Sequence, residues 1–131
     1  MRRMGAIVLA VLLLAGQARA NPHLDGNWWM AQDDSAKTGY LIGLGDGVQL
    51  GNSFTVGTDG QPGPAYTAAY NRYLAGVDNP RILEAIDAFY SDPQARRVTF
   101  PDALMAVLKQ IAGDPDADAF VARIKAAASA R

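Results

Sequence analysis

The stretch GYLIGLGDGVQLG, residues 39–51, decides the fold of this 131-residue chain. Four of its glycines, Gly39, Gly43, Gly47 and Gly51, are spaced four residues apart. On a helix this spacing removes the side chains from one continuous ridge, so a second backbone could approach very closely. The sequence therefore predicts a helix over residues 35–50 whose glycine ridge packs against another helix of the same chain.

Two alternatives to this packing stay open. The triplets YLI and VQL flank a Gly-Asp-Gly turn signal, so the stretch could also form two strands of a hairpin. Five glycines would cost a helix about 4–5 kcal/mol relative to alanine, at about 1 kcal/mol each, and only close tertiary packing could offset this cost. The ridge could also serve a homodimer, whereas Asp46 within it makes membrane insertion expensive.

The apolar residues of this segment predict its position in the fold. They nearly surround the helix axis, which is typical of a helix buried among others: Tyr40, Leu41, Ile42, Leu44 and Val48. The helix over residues 35–50 is therefore expected to be the central helix of the bundle.

The first twenty residues have the pattern of a secretory signal peptide. Arg2 and Arg3 precede an apolar run over residues 6–15, and Ala18-Arg19-Ala20 supplies small residues for cleavage before Asn21. The run is short for a bilayer span, so no stable membrane insertion is expected after cleavage. The predicted location is periplasmic or secreted, by a Sec-type signal.

Length, charge and cysteine content narrow the function classes. Cleavage after residue 20 of the 131 leaves 111 residues, which suits one domain over residues 21–131. The loss of three arginines moves the formal net charge from −1 to −4, which argues against nucleic acid and anionic lipid as partners. The absence of cysteine excludes disulfides, thiolate metal sites and cysteine nucleophiles.

Turn and capping signals predict an all-α, compact bundle of four to five helices. Residues 21–34 are expected to form an entry strand or loop, and residues 52–64 a long surface loop. Further helices are predicted from Pro64 to about Leu74, from Asn79 to the Asp-Pro pair at 92–93, from Thr99 to Gly113, and from Asp114 into the alanine-rich tail.

Several motifs give the chain a resemblance to a known group. They are Trp29, Lys37-x-x-Tyr40-x-x-Gly43-x-x-x-Gly47, Ile86-Asp87-x-Phe89-Tyr90-x-Asp92-Pro93 and Pro101-Asp102-Ala103-Leu104. With these motifs the chain resembles a group of small, uncharacterised, exported bacterial proteins, distantly similar to the Rap/Tai immunity proteins that neutralise cell-wall amidases delivered by type VI secretion. The resemblance implies a compact helical fold. Immunity proteins of that type typically carry cysteines, and this chain has none.

The types and positions of the titratable residues predict that the chain is not an enzyme. No catalytic residue, metal or cofactor is expected. His23 is the only histidine and has no evident catalytic partner. The series Asp114-x-Asp116-x-Asp118 lacks the glycine and the glutamate that a calcium loop needs. These aspartates, like Asp102, are expected to cap helix starts.

Two further aspartates, Asp46 and Asp87, interrupt apolar helical runs. An acid in such a position must be solvated, protonated or paired, and we expect pairing with Arg72, Arg81 or Lys37. The alternative is a pair of catalytic carboxylates that hydrolyse a glycosidic bond of the cell wall.

The aromatic residues supply most candidates for a contact surface. Most of these aromatic side chains are expected to line the core, and the alternative is an aromatic patch that grips a protein or a glycan. Adjacent tryptophans on a strand cannot both point inward, so one of them is a candidate contact. The predicted partner-binding residues are Trp28, Trp29, Asp46, Asp59, Tyr66 and Tyr70.

The leading functional hypothesis is a small exported protein-interaction module. In its specific form the module is an immunity-like inhibitor of an enzyme in the cell envelope, and its partner is an envelope protein. The alternatives are the cell-wall hydrolase and an envelope-stress or chaperone-like protein that loosens when acid protonates its carboxylates.

Overall fold

A computed structural model describes residues 24–56, 60, 61 and 63–131, and these residues form six α-helices and no strand. The helices are α1 (Gly26–Met30), α2 (Asp34–Thr55), α3 (Pro64–Tyr73), α4 (Asn79–Ser91), α5 (Phe100–Ile111) and α6 (Ala117–Ser129), with a short 3₁₀-helix over Pro93–Ala95. The predicted all-α bundle is confirmed. The predicted signal peptide, residues 1–20, and His23 lie outside the described residues.

The central helix of the bundle is α4. It packs against α1, α2, α5 and the 3₁₀-helix, and it buries Ile82, Ile86, Phe89 and Tyr90. The prediction that the helix over residues 35–50 is central was wrong. Its apolar residues divide between two environments, because Leu41 is buried against α4 whereas the side chain of Ile42 is 52% exposed.

The glycine-rich stretch is helical, so the hairpin alternative is excluded, but its ridge does not pack. A Cβ atom added at Gly39, Gly43, Gly47 or Gly51 would meet no atom of the described residues within 4 Å. The prediction of a second helix seated on the ridge was therefore wrong. The helix instead turns the side of Lys37 and Leu41 toward the core, and the glycines face solvent.

The segment at 26–30 is a short helix rather than the predicted strand or loop. Asp25 caps it, because its carboxylate accepts the backbone N–H groups of Asn27 at 3.0 Å and Trp28 at 3.1 Å. Just before it, the backbone N–H of Phe100 donates to the carbonyl of Leu24 at 2.6 Å. The beginning of the described chain is thus tied to the beginning of α5.

Gly26 lies directly against the backbone at Arg96 and the ring of Tyr90. Its N–H donates to the carbonyl of Arg96 at 2.9 Å, and a Cβ atom added there would lie 2.9 Å from the Arg96 Cα and overlap the ring of Tyr90. The hydroxyl of Tyr90 donates to the Val98 carbonyl at 3.1 Å, and burial of this ring raises the pKa of its phenol. Only glycine fits between the ring and the backbone.

Helix ends follow the sequence signals closely but not in every detail. Asp78, rather than Asn79, caps α4 by accepting the N–H of Arg81 at 3.0 Å. The Thr99 hydroxyl donates to Asp102 at 2.8 Å instead of capping a backbone N–H of α5. Helix α2 continues to Thr55 and α3 begins at Pro64, so residues 52–55 and residue 64 of the predicted loop are helical instead.

Candidate functional site

One side of α2 is uncovered in the described chain, and we call it the outer face of α2. Ile42 and Leu50 expose 52% and 59% of their surface. All members of this face are solvent-exposed, and they are Gly39, Ile42, Gly43, Asp46, Gly47 and Leu50. The rest of the described chain leaves this apolar and small-residue face free.

On the opposite side of α2 an aromatic cluster closes the core. Trp28, Trp29, Tyr40 and Phe100 meet with ring centroids separated by 4.9–6.4 Å. Trp29 is fully buried, so its side chain is not available to a partner and its predicted contact role was wrong. Trp28 is half-buried. The two rings share one cluster because they lie on a helix, where neighbouring side chains are 100° apart rather than on opposite faces.

Asp87 joins this cluster to α2 through an ion pair. Its Oδ1 accepts the Trp29 indole N–H at 2.6 Å and the ammonium of Lys37 at 2.9 Å. The Lys37 side chain is 8% exposed, and its Nζ lies 5.5 Å from the Trp29 ring centroid. Of the three predicted pairing options for Asp87, the one with Lys37 is confirmed.

Asp46 does not share this site. It lies nine residues after Lys37 on the same helix, which corresponds to about 13 Å along the axis and about half a turn around it. Asp46 is solvent-exposed, and within the described ranges no ion pair reaches it. The predicted pairing of Asp46 with a base is therefore wrong, and this geometry does not bring Asp46 and Asp87 together as a catalytic pair.

Two other predicted contact residues, Tyr66 and Tyr70, lie on α3. The rings of Tyr66 and Tyr70 on α3 stack with centroids 6.1 Å apart and an interplanar angle of 21°. Tyr70 is 38% exposed, and Tyr66 is half-buried. Asp59 lies outside the described residues. The two tyrosines form an accessible aromatic pair.

Asp114 is the centre of a group of polar contacts that the sequence did not predict. From the sequence, Asp114 was expected only to cap a helix. Its carboxylate is 1% exposed, and Oδ2 accepts Arg72 and Lys109 at 2.9 Å and the Tyr73 hydroxyl at 2.8 Å. Oδ1 accepts the backbone N–H of Asp116 at 2.9 Å. This backbone hydrogen bond, followed by those from Lys109 and Tyr73, holds the pKa of Asp114 well below its ordinary value.

Gly113 places the Asp114 carboxylate in this position. Its φ of +65° ends α5 in the left-handed conformation, and the next backbone N–H donates to the Lys109 carbonyl at 2.9 Å. The chain then turns inward toward the end of α3. The contacts of Asp114 with Tyr73 and Arg72 span 41 and 42 residues, so no local pattern could have indicated them.

A groove of about 260 Å³ opens between α2, α3, α4 and α5, and we call it the inter-helix groove. Its lining residues are Leu41, Leu44, Gly45, Val48, Gln49, Tyr70, Leu74, Val77, Asn79, Ile82, Leu104 and Leu108. No lining residue carries a charge. The groove lies across α2 from the outer face, and no sequence pattern indicated it.

Within residues 24–56, 60, 61 and 63–131, no three acidic or histidine side chains converge on a point that could hold a metal ion. None of the helices in these ranges combines the length and the hydropathy needed to cross a bilayer.

Comparisons with known proteins gave no match. No family model, no curated protein and no solved structure is significantly similar to this chain. The arguments for function therefore rest on the residues and their geometry.

Proposed function

We propose that this chain is a small exported protein-interaction module that binds its partner through the outer face of α2. The observation that supports this proposal is the exposure of Ile42 and Leu50 beside three uncovered glycines. A face of this kind lets a partner backbone approach closely while two large apolar side chains lose contact with water.

The cost of the glycines adds to this argument. Five glycines in α2 weaken the helix by about 4–5 kcal/mol relative to alanine, and no contact within the described chain uses their lack of side chains. A residue choice that costs stability and gains no internal packing is typical of a functional surface. The stacked Tyr66 and Tyr70 on α3 extend the proposal to a second contact area.

The more specific form of the proposal is an immunity-like inhibitor of an envelope enzyme. The signal-peptide pattern and the resemblance to small exported bacterial proteins support it. The competing hydrolase hypothesis has less support, because Lys37 and Trp29 hold the carboxylate of Asp87 and Asp46 lies on the far side of α2.

Affinity capture with matched variants tests the proposal. The wild-type chain, Ile42→Arg and Met105→Arg would be used as baits in periplasmic extract, since Met105 is also an exposed apolar residue, at 41%, but lies on α5. We expect a protein that wild type and Met105→Arg retain and Ile42→Arg loses. Identical capture by all three baits, or capture of nothing, would contradict the proposal.

Light scattering of the purified chain separates a foreign partner from a homodimer. A dimer that Ile42→Arg dissociates and Met105→Arg preserves would identify a second copy of this chain as the partner. A monomer in all three cases leaves the captured envelope protein as the partner.

A further inference from the structure

We infer that the inter-helix groove is a binding site for a small uncharged ligand with an apolar body and one hydrogen-bonding end. The site is separate from the outer face of α2 and shares only Tyr70 with the second contact area proposed above, so it goes beyond the proposed interaction with a protein.

The base of the groove belongs to the folded core. Leu41, Ile82 and Leu108 form it and are 4%, 7% and 6% exposed. All three are members of the hydrophobic core cluster, so the base is fixed by the packing of α2, α4 and α5. A ligand would therefore meet a surface formed in advance, which reduces the entropy cost of binding.

The charge of the lining selects the class of ligand. None of the lining residues is charged, although 19% of the residues in the chain are. A charged ligand would lose its hydration in the groove and find no opposite charge to replace it. The complementary occupant is therefore uncharged.

The mouth of the groove carries unused hydrogen-bonding groups. The side chains of Gln49, Tyr70 and Asn79 line the groove, are solvent-exposed, and make no hydrogen bond within the described ranges. Two amides and a phenol can donate hydrogen bonds to one polar group of a ligand and accept hydrogen bonds from it. Aliphatic side chains surround the remainder of the groove, so a single polar end is favoured over several.

The volume sets the size of the ligand. A cavity of about 150 Å³ holds one benzene ring, so about 260 Å³ suits a fused two-ring body of roughly ten non-hydrogen atoms. Gly45 contributes to this space, because a Cβ atom added there would meet nothing within 4 Å. A larger side chain at position 45 should therefore fill part of the groove.

Titration with 2-naphthol, followed by backbone and methyl NMR, tests the inference. We expect saturable binding with a Kd of about 0.1–1 mM, with the largest shift changes at Val48, Leu104 and Leu108. Naphthalene-2-sulfonate, which has the same body and a permanent charge, is expected not to bind.

Two glycine variants of α2 give a matched comparison. Gly45→Leu should weaken 2-naphthol binding about tenfold or more, whereas Gly43→Leu on the outer face should leave the Kd within about twofold. Both positions are helical and open, so circular dichroism should report a folded chain in each case.

Three results would overturn the inference: no saturable binding of 2-naphthol, equal binding of the sulfonate, or equal affinity of the Gly45→Leu variant. Loss of partner capture by Ile42→Arg concerns a different face of α2. The protein-interaction proposal and the ligand site can thus fail independently.

Discussion

At the scale of single residues, the glycine that the packing requires is Gly26, which no sequence pattern singled out. It lies where α1 crosses the Tyr90 ring and the backbone at Arg96. The glycines of α2 attract attention by their regular spacing, yet each has open space where a side chain would stand. Regular spacing therefore indicated the secondary structure, while a single contact between distant segments determines which glycine is needed.

We predict that Gly26→Ala lowers the free energy of unfolding by about 2–3 kcal/mol. The added methyl group would overlap the Tyr90 ring and displace the Arg96 backbone, and overpacking of a filled core costs about this much. Urea denaturation monitored by circular dichroism measures the change. Gly43→Ala serves as the control, and an equal loss in both variants would contradict the explanation.

A second prediction concerns the carboxylate of Asp87. Asp87→Ala should destabilise the fold by about 2–3 kcal/mol, because it leaves the buried Lys37 ammonium and the Trp29 N–H without an acceptor. Asp87→Asn keeps an acceptor for the indole N–H and should therefore lose less stability than Asp87→Ala. Equal stability of the alanine variant and wild type in urea would show that Lys37 finds another partner.

At the scale of elements, α2 has a buried side and an uncovered side with opposite responses to mutation. We predict that Gly43→Ala and Gly47→Ala each raise the free energy of unfolding by about 0.5–1 kcal/mol, because alanine favours the helix and its methyl group meets no atom. Thermal or urea unfolding shows whether each substitution raises or lowers the free energy of unfolding. Destabilisation by either variant would mean that the ridge is packed in solution, as it would be in a homodimer.

Helix α3 is held at its end by the Asp114 centre. Arg72 and Tyr73 at the end of α3 both bind the Asp114 carboxylate, and Lys109 of α5 binds it from the other side. We predict that Asp114→Ala speeds amide hydrogen exchange in α3 far more than in α4 and lowers the Tm by about 10 °C. Uniform acceleration over both helices would indicate instead that Asp114 supports the whole core.

At the scale of the whole molecule, acid should weaken the fold through the same carboxylate. The pKa of Asp114 is lower in the folded chain than its ordinary value of 3.8, and that of Asp92, paired with Lys125, is also lowered. A depressed folded pKa contributes stability above the unfolded pKa and loses it as the pH falls.

The lowered pKa values of Asp114 and Asp92 determine how the free energy of unfolding should depend on pH. Stability should change little from about pH 7 to pH 5 and should fall progressively below about pH 4, as protons bind the unfolded chain more readily. Urea midpoints at several pH values measure it, and Asp114→Asn should flatten the acid limb. An unchanged acid limb in that variant would assign the effect to other carboxylates.

Part of the fold could be predicted from the sequence, and the helix boundaries are the clearest case. Local signals gave the boundaries of α3 to α6 within a few residues, because Pro64, the Asp-Pro pair at 92–93 and Gly113 act on the adjacent backbone. The helical state of the glycine-rich stretch also came out correctly.

The missed features all depend on segments far apart in the chain. Periodicity could not tell which side of α2 meets α4, and it could not assign Trp29 to the core. Asp114 required Arg72, Tyr73 and Lys109 to converge from two helices. The inter-helix groove is a space between four helices, so no single segment encodes it.

The long-range contacts of α1 and of Leu24 before it constrain the order in which the chain folds. Leu24, Gly26 and Trp29 find their partners at Phe100, Arg96 and Asp87, between 58 and 76 residues later in the chain. Contacts across such separations form only after the later residues have been synthesised, and they close slowly. Helix α1 can therefore complete these contacts only after the whole of α4 and the start of α5 are present.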